Sequence, residues 1–234
     1  MAARVFKVQI RAAMIDKIRS RISRDDGRTA ARAALRGDLL RWRRQLSAPW
    51  RRTADAAIAR QLQALLASIV MGAHGPAGPC VVGVYWPVRG EPDLTDLFGS
   101  WSQGGARLGL PVVDAPDAPL RFVAWAPGDA TTTAAMGIPR PVADTTVTPE
   151  VMVVPCVGFD ARCHRLGYGG GFYDRTLAMR RSAGAVAVRA VGVGYDAAEI
   201  ADLGPAVHDQ PLDAVVTQSR VLLREPSAWP AAAR

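Results

Sequence analysis

The residues best placed to do chemistry lie in one glycine-rich segment. It reads Arg165-Leu-Gly-Tyr-Gly-Gly-Gly-Phe-Tyr-Asp-Arg175 and follows an apolar run at residues 153–157. Glycines let backbone N–H groups approach an anion closely, and a helix that begins after them presents its positive end to the same anion. The flanking arginines can add charge-assisted hydrogen bonds. The segment therefore predicts a phosphate cradle; a tight structural turn is the alternative that the glycines by themselves leave open.

This segment matches neither of the common phosphate-binding patterns. The chain contains no G-x-x-x-x-G-K-[ST] sequence, and Phe172 stands where G-x-G-x-x-G needs its last glycine. Asp174 falls in the first turn of the predicted helix, where a carboxylate can hold a divalent metal ion that bridges phosphates. Cys156, Cys163 and His164 do not have the spacing of a zinc site, so we interpret Cys156 as a packing residue of its strand.

The elements that must position this segment alternate between helices and strands. Helices are predicted over 29–46, 53–70, 92–101 and 171–181, and strands over 80–86, 107–113, 120–125, 151–157, 187–195, 214–217 and 220–223. The proline-containing stretch 126–150 is predicted to be a long irregular connection. Alternating strands and helices predict an α/β fold with a mostly parallel sheet and helices on both faces.

The composition is that of an ordinary globular chain with an uneven charge. Of the 234 residues 49% are hydrophobic and 21% charged, which excludes disordered, coiled-coil and fibrous classes. Residues 1–52 carry 15 Lys and Arg against 4 Asp and Glu, and the rest carry 14 against 17, so the net charge of +8 comes from the amino-terminal part. We interpret this part as a solvated basic face with arginines for a small anionic ligand; no aromatic stacking platform accompanies it, which disfavours nucleic acid.

Three regions are expected along the chain. Residues 1–28 are predicted to be a basic, flexible tail without the apolar segment of a secretory signal, residues 29–224 a single domain, and residues 225–234 a flexible carboxyl-terminal tail. No run reaches the roughly 18 apolar residues of a membrane span. Three cysteines disfavour a disulfide framework and indicate a reducing compartment, so we expect a cytoplasmic protein.

The glycine-rich string resembles the signature of the 5-formyltetrahydrofolate cyclo-ligase family, also called 5,10-methenyltetrahydrofolate synthetases. Other segments similar to the family's occur in the right order over about residues 30–220. They are Arg32-x-x-x-Arg36, Tyr85-Trp-Pro-Val-Arg-Gly-Glu-Pro-Asp-Leu94, Leu120-x-Phe-x-x-Trp125, Gly137-Ile-Pro-x-Pro141, Pro155-x-Val-x-Phe-Asp160 and His208-Asp-x-Pro-Leu-Asp-x-Val-Val-Thr217.

This resemblance implies a three-layer, Rossmann-like single domain, 5-formyltetrahydrofolate as substrate, ATP as co-substrate and Mg²⁺. In the implied reaction ATP phosphorylates the formyl oxygen, N10 of the folate attacks the activated carbon, and 5,10-methenyltetrahydrofolate forms with release of ADP and phosphate. The chemistry of the chain agrees with this. A formamide oxygen is a poor leaving group until it is phosphorylated, and phosphoryl transfer needs positioning and charge neutralisation more than a side-chain nucleophile.

Site roles also follow from the resemblance. It implies Arg165, Tyr173 and Asp174 as catalytic residues, and Asp174 and Asp209 as metal ligands. ATP-binding residues are Arg32, Arg36, Arg165, Gly167, Tyr168, Gly169, Gly170, Gly171, Phe172 and Tyr173, and substrate-binding residues are Trp86, Glu91, Tyr168 and Phe172. Arg32 stands where the family often has lysine, and Phe172 where it usually has tyrosine. Arg140 stands where it commonly has an acidic or amide residue.

Structural interpretations of the same residues stay open. The arginine pair could form a solvated helix face, the aromatic residues could be core, Glu91 could favour a helix amino terminus, and Asp209 could cap a turn. At the level of function, the main alternative is a non-catalytic folate- or nucleotide-binding protein of the same fold. A nucleic-acid-binding protein and another α/β enzyme, such as a sugar-phosphate isomerase, are further ones. We expect no nucleic-acid or membrane partner, and a monomer or weak dimer.

Overall fold

The computed structural model describes residues 25–70, 78–133, 137–182 and 188–229. Most of the predicted basic tail, residues 1–24, lies outside these ranges. Within them the helices are α1 (Asp25–Arg44), α2 (Ala48–Val70), α3 (Thr95–Gln103) and α4 (Phe172–Ser182), with short 3₁₀ turns at Asp196–Ala198 and Pro226–Ala228. No helix in the described ranges has both the length and the apolar character needed to cross a membrane.

Thirteen strands are assigned in the described residues. They are β1 (Val81–Gly83), β2 (Arg107–Val112), β3 (Arg121–Trp125), β4 (Thr131–Thr133), β5 (Pro139–Pro141), β6 (Thr146–Val147), β7 (Val151–Pro155), β8 (Gly158–Asp160), β9 (Arg165–Leu166), β10 (Arg189–Val193), β11 (Glu199–Ile200), β12 (Ala214–Val216) and β13 (Val221–Leu223).

Eight of these strands form the main sheet, in the order β13-β12-β10-β7-β1-β2-β3-β6. The five central strands, from β12 to β2, run parallel, and the pairs at both edges are antiparallel. From β1 the chain crosses through α3 to β2 on one side, whereas from β7 it crosses through α4 to β10 on the other. The boundary between β1 and β7 is therefore the topological switch point, where open α/β sheets bind their ligands.

Apolar side chains cover both faces of this sheet. Val151 and Val153 of β7 pack in one core with α2 and α3, whereas Met152 and Val154 of the same strand pack in a second core with α1 and α4. Because β7 is buried on both faces, its sequence is a continuous apolar run rather than an alternating one. The prediction of a three-layer α/β fold with a mostly parallel sheet is confirmed.

Several predicted boundaries are wrong. Residues 126–150 are not an irregular connection, because β4 pairs with β5 and β6 adds to the edge of the main sheet. Helix α2 begins five residues earlier than predicted. Helix α3 begins at Thr95 rather than at Pro92, whose carbonyl accepts a hydrogen bond from the buried Tyr85 hydroxyl.

A small second sheet carries the glycine-rich segment. Strands β8 and β9 form a hairpin, and β11 pairs with β8 on its other side. The Asp160 carboxylate, fully buried, closes the hairpin by accepting hydrogen bonds from the backbone N–H groups of Arg162 and His164, both at 2.9 Å. Gly158 allows α1 to pack closely, since a Cβ there would lie 2.9 Å from a Leu39 methyl group.

The predicted domain limits, 29–224, stay a prediction. Residues 25–28 already belong to α1 in the described structure. At the other end, Trp229 is 2% exposed, packs in the first core and has the Arg189 guanidinium 5.0 Å from its ring centroid. The packed part of the described chain therefore continues past residue 224.

Candidate active site

The glycine-rich loop, residues 167–171, leaves β9 and leads into α4. Gly169 and Gly171 have φ values of +102° and +66°, which L side chains rarely adopt. At Gly170 a Cβ would lie 2.7 Å from the Phe172 ring. Glycine is therefore required for this backbone path, so the structural interpretation of the segment holds; the surrounding side chains decide whether the loop is also an anion site.

Arg36 of α1 reaches this loop. Its Nε donates to the carbonyl of Gly167 at 2.6 Å, and its guanidinium would lie 3.5 Å from a Cβ at Gly169. Burial and the neighbouring charge of Arg32 lower the pKa of Arg36. Arg32 lies one helical turn earlier, where its Nη1 meets Asp209 Oδ2 at 2.6 Å. The two arginines predicted to share a face do lie together beside the glycine loop.

Arg165 and Asp174 form a second ion pair at the start of α4. Arg165 is 7% exposed, and its Nη2 lies 2.8 Å from Asp174 Oδ1 while its Nη1 donates to the carbonyl of Gln210 at 2.7 Å. The same Asp174 oxygen accepts from the backbone N–H of Gln210 at 2.9 Å. Gln210 follows Asp209 directly, so the two predicted metal ligands are neighbours in space.

Both carboxylates suit an ion that brings ligands of its own. In the described ranges no group of three or more His, Cys, Asp or Glu side chains could hold a metal ion. Mg²⁺ typically binds one or two carboxylates and takes its remaining ligands from water and substrate phosphates. Asp174 and Asp209 therefore fit a magnesium ion carried by a nucleotide and do not fit an all-protein metal site.

Arg175 bonds to backbone carbonyls and so supports the loop, although its position after the glycines suggested a contact with an anion. It donates to the carbonyls of Gly170, Pro116 and Ala118, and its guanidinium lies 4.9 Å from the centroid of the Phe172 ring. These bonds tie the end of the loop to the segment between β2 and β3. Phe172 is half-buried under this cation and packs against the second core, as the core interpretation expected.

Glu91 lies across the site from the ion pairs, after β1. Residues 88–91 form a turn in which Arg89 and Gly90 have φ values of +52° and +75°. The turn buries the Glu91 carboxylate to 5% exposure, where it accepts from the N–H of Val88 at 2.9 Å and from the Tyr168 hydroxyl at 2.9 Å. Burial raises the pKa of Glu91, and these hydrogen bonds with the charge of Arg43 oppose the rise.

Of the aromatic residues predicted to bind ATP or the substrate, Tyr168 lies on the glycine loop, whereas Tyr173 and Trp86 pack against the hydrophobic cores. Tyr168 is 37% exposed, and burial of its hydroxyl next to Glu91 raises its pKa. Tyr173 is half-buried, with the Arg165 guanidinium 5.9 Å from its ring centroid, and its pKa is raised by burial and by Glu91. Trp86 is half-buried five residues before Glu91, with its ring edge-on to Trp125 at 6.1 Å between centroids.

Two residues of this site were missed by the sequence analysis. Arg43, in the last turn of α1, is 3% exposed and contacts Tyr168; Gln210 joins Arg165 to Asp174. A signal for Arg43 was available, since it follows Arg36 by seven residues, or two helical turns. Cys156, interpreted as a packing residue, is buried, as is Cys163, and burial raises the pKa of Cys156 to about 12 and of Cys163 to about 11.

Fold and site together define a three-layer α/β protein in which an arginine-lined glycine loop faces a buried carboxylate at the switch point of the sheet. The model of the 5-formyltetrahydrofolate cyclo-ligase family matches residues 28–218. The 5-formyltetrahydrofolate cyclo-ligase of Escherichia coli strain K12 is 34% identical over 146 residues, covering 60% of this chain and 79% of that one. The enzyme of the same name from Mycolicibacterium smegmatis is 31% identical over 148 residues, covering 59% and 74%.

The comparison with solved structures agrees with the match to this family. The chain is similar to Aquifex aeolicus 5,10-methenyltetrahydrofolate synthetase with a TM-score of 0.68 and 30% identity, covering 83% of this chain and 93% of that one. A synthetase of the same name from Mycoplasma pneumoniae, at 22% identity and a TM-score of 0.61, shares the fold, with 80% and 99% covered. The chain therefore belongs to the 5-formyltetrahydrofolate cyclo-ligase family and is an enzyme of the ligase class.

Proposed function

We propose that this protein converts ATP and 5-formyltetrahydrofolate to ADP, phosphate and 5,10-methenyltetrahydrofolate, with the formyl oxygen leaving in the phosphate. The observation that carries the proposal is the meeting of two unlike sets of groups at the switch point. On one side the glycine loop and Arg32, Arg36 and Arg165 offer positive charge to phosphates. On the other side the buried Glu91 and Tyr168 offer acceptor and donor groups to a polar ring system.

In the proposed first step the formyl oxygen attacks the γ-phosphorus of ATP and ADP leaves. Negative charge on the transferred group is the main obstacle, so fixed arginine charges and backbone N–H groups of the loop are the groups that stabilise it. We assign this work to Arg36 and Arg165, which both lie next to the loop. Asp174 and Asp209 would hold Mg²⁺, which neutralises phosphate charge when bound.

In the second step N10 attacks the activated formyl carbon, a C–N bond forms, and the C–O bond to phosphate breaks. N10 loses its proton as the amidinium product forms, so a base is needed near the reacting nitrogens. We assign the removal of this proton to Glu91, because a buried carboxylate with a raised pKa is a better base at neutral pH than a carboxylate with the ordinary pKa. Tyr168 and Trp86 are proposed to contact the pterin.

Turnover tests this proposal. Purified protein is mixed with 5-formyltetrahydrofolate and Mg²⁺, with and without ATP, and the absorbance band of the methenyl product is followed. We expect an ATP-dependent rise that Asp174→Ala abolishes and that Asp96→Ala, an exposed carboxylate on α3, leaves intact. A folded protein that binds ATP without any rise would overturn the proposal.

One observation favours the second candidate, a folate- or nucleotide-binding protein without turnover. Asp174 and Asp209 are both neutralised by arginines, and their affinity for a metal ion is thereby reduced. Binding of ATP and of 5-formyltetrahydrofolate by calorimetry, with no product and no ADP after hours, would establish it. Turnover in the same preparation would exclude it.

The remaining expectations are proposals too. We propose a cytoplasmic monomer or weak dimer that acts on a small molecule and needs no nucleic-acid or membrane partner. The uneven charge supports this, since the chain after residue 52 carries a net charge of −3. Removal of residues 1–24, which lie outside the described structure, should leave turnover unchanged, whereas a nucleic-acid function of the basic arm would be lost with them.

A further inference from the structure

Arg43 is a buried cation that joins three parts of the candidate site. It is 3% exposed at the end of α1, and its side chain makes three hydrogen bonds. Nε donates to the carbonyl of Arg89 at 3.1 Å, Nη1 to the carbonyl of Cys156 at 3.4 Å, and Nη2 to the Tyr168 hydroxyl. The three acceptors belong to the turn after β1, the residue after β7 and the glycine loop.

These acceptors lie on both sides of the switch point. Strands β1 and β7 are parallel neighbours, so Arg89 and Cys156 mark the two carboxyl ends between which a ligand is expected. A planar guanidinium can hold several acceptors in fixed directions, which an ammonium cannot. Arg43 therefore links the carboxyl ends of β1 and β7 to the glycine loop through one side chain.

The Tyr168 hydroxyl connects Arg43 to Glu91 through hydrogen bonds. This hydroxyl accepts from Arg43 and donates to Glu91 Oε1 at 2.9 Å, so that cation, phenol and carboxylate form one row. The Arg43 guanidinium also lies 5.9 Å from the centroid of the Tyr168 ring, and that of Arg89 lies 5.4 Å from it. A buried charge needs such partners, because water does not solvate it.

We propose that Arg43 is a positioning residue of this enzyme: through Tyr168 it sets the direction and charge of Glu91 and holds the glycine loop over the carboxyl ends of β1 and β7. The proposal deepens the proposed function and rests on it for the kinetic part of the test. Its structural part is independent, because the ionisation of Glu91 can be measured without turnover.

Other groups facing Glu91 must be kept constant in the test. Arg89 is on its own turn, Tyr168 on the glycine loop, Tyr173 on α4, Tyr85 after β1 and Cys156 after β7. Arg43 supplies a positive charge that lowers the pKa of Glu91 against the effect of burial. Replacing Arg43 by a neutral residue should therefore raise this pKa further, whereas lysine should keep most of the charge effect and lose the fixed directions.

The first measurement is a carboxyl ¹³C NMR titration of protein labelled at glutamate. The chain has four glutamates, and Glu91→Gln assigns the signal. We expect the Glu91 midpoint to move to higher pH in Arg43→Gln, to stay near its original value in Arg43→Lys, and not to move in Arg44→Gln, which removes the adjacent exposed arginine. An unchanged midpoint in folded Arg43→Gln would overturn the proposal.

The second measurement is kinetic and follows a demonstration that the unmodified protein turns over. In Arg43→Gln we expect kcat/KM for the folate to fall between about tenfold and a hundredfold, the size of effect that misplacement of reacting groups produces. The acidic limb of its pH profile should move to higher pH, and KM for ATP should change much less. Arg43→Lys should return the acidic limb of the pH profile to its original position but should not restore kcat/KM for the folate. Equal kcat/KM in folded Arg43→Gln and unmodified protein would overturn the proposal; an inactive unmodified protein would instead overturn the proposed function.

Discussion

The Arg165 guanidinium holds the Asp174 carboxylate at 2.8 Å, at the first turn of the helix that the glycine loop leads into. Arg165 is nearly buried and is also bonded to the carbonyl of Gln210, so it cannot turn away without leaving a buried charge. Arg32 and Asp209 repeat the arrangement beside it at 2.6 Å. Each carboxylate that we propose as a magnesium ligand is thus next to an arginine that we propose as a phosphate ligand.

The Arg32–Asp209 pair should contribute to stability in a pH-dependent way. Burial alone would raise the pKa of Asp209, but hydrogen bonds from the Ala206 N–H and from Arg32 outweigh it and the pKa is lowered. A lowered pKa contributes stability above the unfolded value, about 4, and the contribution is lost as the pH falls through the folded value. Arg32→Ala should therefore reduce the free energy of unfolding at pH 7 by about 1 kcal/mol and by less at low pH.

Urea denaturation at pH 7 and at the lowest pH where the protein stays folded measures this difference. The matched control is Arg41→Ala, which removes an exposed partner of Asp38 on the same helix and should change little at either pH. A loss in Arg32→Ala that is equal at both pH values would contradict the assignment to an ion pair.

Glu91→Gln should separate stability from activity. Burial raises the pKa of Glu91, so its favourable contribution is complete below the unfolded value and is lost as the pH rises through the folded value. At pH 7 the charged form is therefore a cost to the folded state, and the amide should leave the free energy of unfolding unchanged or increase it. Turnover should fall by about a hundredfold or more because the base is lost. Turnover within twofold of the unmodified rate would refute the role; Glu225→Gln, an exposed carboxylate, serves as control.

Gly169→Ala should damage the loop more than the fold. Its φ of +102° is unfavourable for any L side chain and costs about 1–2 kcal/mol, and a Cβ would point at the Arg36 guanidinium 3.5 Å away. We expect weaker ATP binding by calorimetry and a reduced rate at saturating folate. Gly99→Ala on α3, where φ is ordinary and the nearest atom lies 3.8 Å from a Cβ, should retain both. Equal ATP affinity in the two variants would contradict a phosphate cradle at this loop.

The sequence predicts those parts of the fold whose pattern is local. Strand β7 was predicted because burial on both faces requires a continuous apolar run, and α1 because Leu35 and Leu39 recur at helical spacing and are both buried. Strands β8, β9 and β11 have two or three residues each, too few to show a period, and they form through pairing over as many as 40 residues of chain. The glycine string was recognisable because its backbone path requires glycine.

The contacts between side chains in the site were harder to predict from the sequence. The predicted grouping of Arg32 and Arg36 followed from spacing within one helix. The pairing of Arg165 with Asp174 depends on the path of the loop between β9 and α4. Arg43 has acceptors 46, 113 and 125 residues away in the chain. Apart from its seven-residue spacing from Arg36, nothing in the local sequence distinguishes Arg43, which meets three such acceptors, from the exposed Arg44 beside it. Burial of a charge is a property of the assembled fold.

The fate of the formyl oxygen tests the central claim most directly. 5-Formyltetrahydrofolate labelled with ¹⁸O in the formyl group is converted with ATP and Mg²⁺, and the inorganic phosphate is analysed by mass spectrometry. If the formyl oxygen is phosphorylated and then leaves with phosphorus, one ¹⁸O appears in phosphate for each methenyl group formed. Methenyl product accompanied by unlabelled phosphate, or no product from folded protein that binds both substrates, would contradict the account.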